Sequence, residues 1–330
     1  MQEFELKYQV PHAEAAALEQ ALAAGPGAGE VRLRAVYFDT PGRWLARAHM
    51  ALRLRREGEQ WVQTLKAVAE DGLTRLEHNQ PRAGAAAPGL DLTLHEGTPA
   101  GERLSALLRE AGEPLAATYG TDIRRRTLTL ESAEGRVELA FDRGEIRAGE
   151  RVLPVCELEL ELLHGRHAAV LREAGRRVER HGLWLDVRSK AERGDRLARG
   201  AAGAPATEVP LLAAPAGADG RAAWRAALLA LWPGLLRNAS ELCDETQQQD
   251  SAQAAAQLQA LRLGLKAMLR AACSVARLPG APDTATLARE VRALRRQLSA
   301  APEPAAAGAW LRSGPAQALW LRGLDGLYAA

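Results

Sequence analysis

The chain opens with charged and apolar side chains in strict alternation, and this pattern limits its fold more than any other feature. In the opening EFELK, Glu3, Glu5 and Lys7 share one parity. Phe4 and Leu6 share the other. Successive side chains of a β-strand point to opposite faces, so the segment predicts a strand with one charged and one apolar face. The charged face is either a surface in water or the wall of a binding site.

The same alternation recurs in at least six later segments, which predicts a sheet with one strongly apolar face and one face dense in charge. Like charges are grouped on this second face: the acids are Glu77, Glu138, Asp142, Glu157, Glu159 and Glu161, and the bases are Arg53, Arg55, Lys66, Arg75 and Arg125. Side chains two apart on a strand lie ~7 Å from each other. Two like charges at that distance repel by roughly 2 kcal/mol at an effective dielectric constant of 20.

Bound ions would relieve this repulsion. Carboxylates bind divalent cations through hard oxygen ligands, and arginines bind phosphate oxygens. The pattern therefore fits a metal-bound polyphosphate held inside a curled sheet whose apolar side is covered by helices. A solvated charged face remains the alternative at this point.

Helical patterns divide the chain into a strand-rich part and a helical part. Within the first part, apolar spacing and breakers predict helices over 13–24, 101–111 and 167–181. Residues 196–220 are rich in Ala, Pro and Gly and lack periodicity, which is typical of a linker. Further helices are predicted over 221–231, 250–277, 283–299 and 304–329. The fold class expected is α+β, with an antiparallel sheet and flanking helices followed by a small all-α bundle.

Charge and composition exclude some classes of function. The 43 basic and 41 acidic side chains nearly cancel, which argues against a nucleic-acid partner. Three cysteines without a C-x-x-C pair suit a reduced compartment. The sequence shows neither a signal peptide nor an apolar run of ~20 residues, so we expect a cytoplasmic protein with no membrane partner.

The quoted strands resemble those of a known family. EFELK is similar to the E-x-E-x-K signature that opens the CYTH family of triphosphate tunnel metalloenzymes. The similarity continues through YFDTPGRWLARAHMALRLRRE, WVQTLK, LTRLE, VELAFDRGEI, PVCELELELLHG and VRSKAERG. It spans residues 1–195 in the family's order. The resemblance implies an antiparallel β-tunnel of about eight strands, with charged side chains pointing into the lumen.

The resemblance also implies roles for individual residues. Metal ligands would be Glu3, Glu5, Glu77, Glu138, Asp142, Glu157 and Glu159, holding Mg²⁺ or Mn²⁺ in a two-metal site. Triphosphate contacts would come from Lys7, Arg53, Arg55, Lys66, Arg75, Arg125, Lys190 and Arg193. Lys7, Glu5 and Glu159 would act in catalysis. Arg124 and Arg126 leave the register around Arg125 open, and Asp195 stands where the family pattern has an aromatic residue.

The domain organisation points to one substrate within the family. A tunnel domain over 1–195, a linker over 196–220 and helices over 221–330 resemble bacterial inorganic triphosphatases with a C-terminal CHAD domain. That helical match is short and degenerate, since Gln259 stands at the position of the expected histidine, so packing or homodimer formation is favoured over polyphosphate binding. Aromatic residues make up 4% of the chain, and the expected lumen positions offer no aromatic pair. The prediction is therefore hydrolysis of inorganic triphosphate. Thiamine-triphosphatase or class IV adenylyl cyclase activity and a non-catalytic polyphosphate-binding protein are the alternatives.

Overall fold

The computed structural model describes residues 4–68, 75–84, 86–210, 219–244 and 251–328. The strands are β1 (Glu5–Gln9), β2 (Gly29–Asp39), β3 (Met50–Glu57), β4 (Gln60–Val68), β5 (Arg75–Arg82), β6 (Ala116–Ser132), β7 (Gly135–Ala148), β8 (Arg151–Gly165) and β9 (Trp184–Leu185). The helices are α1 (Ala15–Ala23), α2 (Trp44–Arg47), α3 (Pro99–Ala111), α4 (His167–His181), α5 (Lys190–Arg199), α6 (Gly220–Cys243), α7 (Ser251–Val275), α8 (Ala285–Ala300), α9 (Pro304–Leu311) and α10 (Gly314–Tyr328). Short 3-10 helices span His12–Glu14 and Leu92–His95. Glu3 lies outside the described residues, as does the side chain of Arg75.

The described strands form one antiparallel sheet in the order β5-β4-β3-β2-β6-β7-β8-β1-β9. The predicted fold class is confirmed: the protein combines this sheet with an all-helical C-terminal region. The described residues give nine strands where about eight were predicted, because the two residues of β9 extend the sheet beyond β1. Among the described strands, β5 and β9 are the edges and do not pair with each other.

The outer face of the sheet is apolar where helices cover it, as its sequence parity predicts. Leu6 and Tyr8 of β1 and Leu158 and Leu160 of β8 are buried against α1 and α4. A separate cluster forms where α2 and α3 cover β3 and β4, with Leu52 at its centre. Burial of apolar surface is the main favourable term in folding, so these contacts hold the helices to the sheet.

The C-terminal helices belong to the same hydrophobic core as the sheet. Trp232 and Leu235 of α6 lie in one continuous cluster with the outer-face residues of β1 and β8. α6 is twelve residues longer at its C-terminal end than the predicted 221–231, because it continues through Pro233 to Cys243. Proline removes one backbone donor from a helix, and burial of the residues that follow Pro233 outweighs this loss. No helix among the described residues is both long and apolar enough to cross a bilayer.

The inner face, predicted to be dense in charge, is charged over only part of its length. Its acids lie at one end, and an apolar cluster of Leu33, Ile123, Ile146, Leu153 and Val155 occupies positions of the same parity further along the strands. α5 contacts β6, β7 and β8 over this face and adds Leu197 to the cluster. The inner face is therefore charged around the N-terminal residues of α5 and apolar where Leu197 of α5 packs on it.

Candidate active site

Strand register brings the predicted acids of β7 and β8 together. Asp142 pairs across the strands with Glu157, and Arg125 of β6 pairs with Asp142 on its other side. In the neighbouring row, Lys7 of β1 pairs with Glu159. One carboxylate oxygen from each of Asp142, Glu157 and Glu159 lies within 4.8 Å of the other two. We call these three residues the acidic cluster.

Lys190 is bound to all three carboxylates of the acidic cluster. It is the first residue of α5, whose N-terminus is capped by Ser189, with the hydroxyl accepting from the Glu192 N–H at 3.1 Å. Its Nζ lies 2.6 Å from Asp142 Oδ2 and 2.8 Å from Glu159 Oε1, and it also forms an ion pair with Glu157. The capped helix start therefore fixes an ammonium group within the cluster.

Two arginines complete the charge balance of the cluster. The Arg125 guanidinium donates to Asp142 Oδ1 at 2.6 Å and Oδ2 at 2.7 Å, and it also contacts Glu159. Arg193, one turn after Lys190, donates to Glu157. Three cations thus face three carboxylates, and this matching explains why so much charge can be buried.

These contacts show which of the three consecutive arginines of β6 faces the cluster, a point that the sequence left open. Arg125 points into the acidic cluster. Arg124 and Arg126, of opposite parity, form ion pairs with Glu19 and Glu30 on the outer side.

Burial and neighbouring charges shift the pKa values of the cluster in opposite directions. Burial alone would raise the pKa of Glu157 and Glu159, but nearby cations outweigh it and hold both values below the ordinary range. For Glu157 these cations are chiefly Arg193 and Lys190. Burial would lower the pKa of Lys190, but the three carboxylates raise it well above its usual value. Glu157, Glu159 and Lys190 are therefore all ionised at neutral pH.

Lys7 is buried beside the cluster without a hydrogen bond. Its side chain is 8% exposed, and its Nζ has no hydrogen-bond partner among the described residues. Burial lowers its pKa, against opposing contributions from Glu157 and Asp186. A buried donor without an acceptor is costly unless a ligand supplies one.

Other buried donors around the site share this property. Arg53 Nε and Arg193 Nε also lack a hydrogen-bond acceptor within the described part of the chain. Arg53 interacts electrostatically with Arg125 although β2 lies between their strands, so the β3 arginines approach the cluster. N–H groups left open in this way fit an anionic ligand with several oxygens.

The remaining predicted residues occupy two neighbouring groups. Lys66 forms an ion pair with Glu77, and Arg55 donates to Glu57 at 2.7 Å, both towards the β5 edge. Glu5 and Glu138 both pair with Glu161 of β8, in the row next to Lys7 and Glu159. The structure thus brings Asp142, Glu157, Glu159, Lys7, Arg125, Lys190 and Arg193 together, and it leaves Glu77 and Lys66 apart from the cluster.

An aromatic pair lies on the inner face, so the expectation that none exists was wrong. The rings of Tyr37 and Tyr119 stack with centroids 4.7 Å apart, and Arg53 donates to the Tyr37 hydroxyl at 3.2 Å. The two residues are 82 positions apart, so only the pairing of β2 with β6 reveals the contact. Tyr37 is 4% exposed, so the pair offers little open ring surface to a substrate.

Further residues around the site have no role assigned from the sequence. Gln9 and Glu161 share the parity of the assigned residues, and Glu161 is already among the acids of the charged face. Asp186 carries no comparable signal. Asp195 has its own role in place of an aromatic residue: it forms an ion pair with Arg43, which ties α5 to the start of α2.

The donor set of the acidic cluster suits a hard divalent cation. All three groups offer carboxylate oxygens, the ligand type that Mg²⁺ and Mn²⁺ prefer. Soft ligands are absent from it, since the cluster contains neither cysteine nor histidine. The cluster can therefore hold a metal ion, and the buried nitrogen donors beside it can bind an anion.

Comparison with known proteins agrees with this arrangement. The chain belongs to the CYTH domain family, whose model matches residues 1–194. An inorganic triphosphatase from Haemophilus influenzae is 30% identical over 164 residues, which are 48% of this chain and 44% of that protein. The chain thus spans less than half of this relative's length.

Solved structures with a similar fold are more distant. A candidate adenylate cyclase from Bacillus halodurans is 20% identical, with a TM-score of 0.40, over 58% of this chain and 96% of that chain. A candidate adenylyl cyclase from Hippeastrum, described as having a dominant triphosphatase activity, is also 20% identical, with a TM-score of 0.41, over 61% and 96% of the two chains.

Proposed function

We propose that the protein hydrolyses inorganic triphosphate to diphosphate and phosphate, with Mg²⁺ or Mn²⁺ as cofactor. The observation that carries the proposal is the acidic cluster beside three buried nitrogen donors that lack acceptors: Lys7 Nζ, Arg53 Nε and Arg193 Nε. Carboxylates that can bind metal and cations that can bind phosphate are both needed for phosphoanhydride hydrolysis. A protein that only bound polyphosphate would need the cations alone.

The residues of this chain have separable tasks in the proposed reaction. Asp142, Glu157 and Glu159 would hold one cation. Glu3, Glu5, Glu77 and Glu138 are the further ligands predicted from the sequence for a two-metal site, and of these Glu77 lies apart from the cluster, paired with Lys66. When bound, the cation supplies Lewis-acid neutralisation of phosphate charge. Lys7, Arg53, Arg125, Lys190 and Arg193 would bind and orient the phosphate chain and stabilise charge that develops in the transition state.

Lys7 is the candidate acid for the leaving phosphate. Burial lowers the pKa of its ammonium, which makes the group a better proton donor than an exposed lysine. Its open Nζ would donate a hydrogen bond to the bridging oxygen and deliver a proton to it as the bond breaks.

The inner face exposes little aromatic surface, and this favours a substrate that contains no ring. Tyr37 is buried and stacked on Tyr119, and Tyr119 is covered by α5 at Gly194. A nucleoside or thiamine group would need an exposed ring for stacking. Inorganic triphosphate needs only charged contacts.

The experiment is phosphate release by the full-length chain from tripolyphosphate, ATP and thiamine triphosphate, each with Mg²⁺, Mn²⁺ or EDTA. We expect metal-dependent release that is fastest with tripolyphosphate.

Glu159→Gln removes one carboxylate charge and should lower kcat at least about 100-fold. Glu131→Gln is the matched control, since Glu131 lies at the exposed end of β6 and pairs with Arg136.

Three outcomes would contradict the proposal. No metal-dependent release from any of the three substrates would exclude the enzyme. Activity of Glu159→Gln equal to that of Glu131→Gln would place the chemistry elsewhere. Faster release from ATP or thiamine triphosphate would replace the substrate with one of the alternatives.

A further inference from the structure

A chain of buried polar contacts leads from the acidic cluster towards the C-terminal helices. The Gln9 amide donates to Glu157 Oε2 at 3.2 Å and to Asp186 Oδ2 at 3.0 Å. Asp186 follows β9 and is fully buried, and its backbone N–H donates to the Lys7 carbonyl at 2.9 Å. Asp186 therefore lies against β1, the strand that carries Lys7, and it is connected to the acidic cluster through the side chain of Gln9.

Arg188 continues this chain to α6. Its Nε and Nη2 donate to the two oxygens of Asp186 at 2.9 Å, and its Nη1 donates to Asp244 Oδ2 at 2.7 Å. Glu241 is 3.5 Å from the same Nη1. The guanidinium is 1% exposed and is shared between the segment that precedes α5 and the C-terminal end of α6.

A second buried arginine links α5 itself to the same end of α6. Arg196 is 2% exposed, donates to Glu241 Oε2 at 2.7 Å and contacts its other oxygen. Arg196 lies on the helix that carries Lys190 and Arg193. Glu241 therefore receives one arginine from α5 and one from the segment before it.

The backbone of residues 185–187, in the segment before α5, is also hydrogen-bonded to the C-terminal helices. The N–H groups of Leu185 and Val187 point away from β1, and they donate to Gln317 Oε1 at 2.8 Å and Ser240 Oγ at 3.1 Å. Strand β1 holds the segment on one side, and α6 and α10 hold it on the other. Its position is thus determined from both sides.

We infer that Glu241 of α6 and Asp244, the residue that follows this helix, are positioning residues for the triphosphate site. They anchor Arg196 and Arg188 and thereby fix α5, with Lys190 and Arg193, over the acidic cluster and Asp186 behind Lys7. The inference rests on the proposed function for its kinetic consequences, and it assigns to the helical region a part in substrate binding. Without Glu241, Arg196 keeps Glu192 alone among the described residues, and without the Asp244 charge, Arg188 keeps Asp186 and the longer contact to Glu241. Each buried guanidinium then loses part of its compensation, and we expect the anchored elements to shift.

The test compares Glu241→Gln and Asp244→Asn in the full-length chain. In the proposed function Lys190 and Arg193 would contact phosphate in the ground state, so KM for tripolyphosphate should rise at least about tenfold in both variants, and more than kcat falls. Hydrogen exchange of residues 184–199 should accelerate, while exchange of β6 to β8 stays as in the wild type. Arg196→Lys keeps the charge and loses the forked contact, and it serves as the milder variant if Glu241→Gln does not fold.

Asn238→Ala is the matched control. Asn238 is buried in the same helix and bonds Thr207 and Gly234, so its loss destabilises α6 without touching Arg188 or Arg196. It should lower the unfolding temperature and leave KM unchanged. Equal changes in KM and in exchange of 184–199 for Asn238→Ala and Glu241→Gln would overturn the inference, as would no change in either variant. A wild type that hydrolyses none of the substrates would refute the proposed function, while the exchange comparison would still decide the positioning.

Discussion

Individual side chains in this protein are held in a definite ionisation state by the partners around them. His95 is the clearest case outside the site. Gln63 Oε1 accepts from Asp91 N at 3.0 Å and from Arg82 Nη1 at 2.9 Å, so the Gln63 amide nitrogen faces His95 Nε2 at 3.0 Å. An amide nitrogen only donates, and His95 Nε2 must therefore be unprotonated. Burial, followed by the neighbouring His78, lowers the pKa of His95 to about 4.

This lowered pKa predicts a loss of stability in mild acid. The unfolded chain binds a proton at His95 near pH 6.5, whereas the folded chain does so only near pH 4, so stability falls as the pH drops between these values. The contribution lost at pH 5 is about 2 kcal/mol. Chemical denaturation at pH 7 and pH 5 should show this loss in the wild type and a smaller one in His95→Gln. The exposed His164→Gln is the control, and a pH response of His95→Gln equal to that of the wild type would contradict the assignment.

At the scale of secondary-structure elements, α5 is the helix that contributes most to positioning the site. Its N-terminal residue Lys190 lies in the acidic cluster, and Leu197 near its C-terminus packs on the apolar part of the inner face. Between them, Gly194 lies against the ring of Tyr119. A short helix thus sets the distance between the cluster and the aromatic pair.

The absence of a side chain at Gly194 is required by this packing. A Cβ there would lie 2.3 Å from two ring carbons of Tyr119, and stacking on Tyr37 prevents that ring from moving aside. Gly194→Ala should cost about 1–3 kcal/mol from overpacking and raise KM for tripolyphosphate as α5 lifts. Gly175→Ala on α4 is the control: its nearest neighbour is Leu321 at 3.8 Å, and the gain in helix propensity should stabilise the fold by up to about 1 kcal/mol. Equal unfolding temperatures for the two variants would disprove the packing argument.

The sequence predicted the secondary-structure elements better than the contacts between them. Period-two parity placed Asp142, Glu157 and Glu159 on one face, because parity is a local property of each strand. It also placed Arg125, although only the contact with Asp142 separates it from its neighbours. The Tyr37–Tyr119 stack joins residues far apart in the chain, and its existence depends on strand order. Strand order is set by the whole fold, so such contacts have no local signal.

At the scale of the whole molecule, sheet and helices form one core. Residues of β1, β8 and α4 share a single apolar cluster with α6, α7 and α10. The division into residues 1–195, a linker over 196–220 and residues 221–330 remains a prediction from composition. Within the predicted linker, residues 196–199 belong to α5, residues 200–210 contain neither helix nor strand, and Gly220 begins α6.

A shared core predicts that the two parts stay together when the chain is cut. A protease site inserted after Ala202 should yield two fragments that co-elute in gel filtration at the size of the intact 35.4 kDa chain. A chain ended at Gly200 should aggregate or unfold at a much lower temperature, because the outer face of β1 and β8 loses its cover. Separation of the cut fragments into two folded species would show independent domains instead.

The covered edge at β9 also limits how copies of this protein can associate. An exposed edge strand usually offers its free N–H groups to another strand. Here the outward N–H groups of Leu185 and Val187 donate to the side chains of Gln317 and Ser240. No tenth strand can add at that edge without displacing α6 and α10. A homodimer of this protein therefore cannot form by extending the sheet through β9 and has to use another surface.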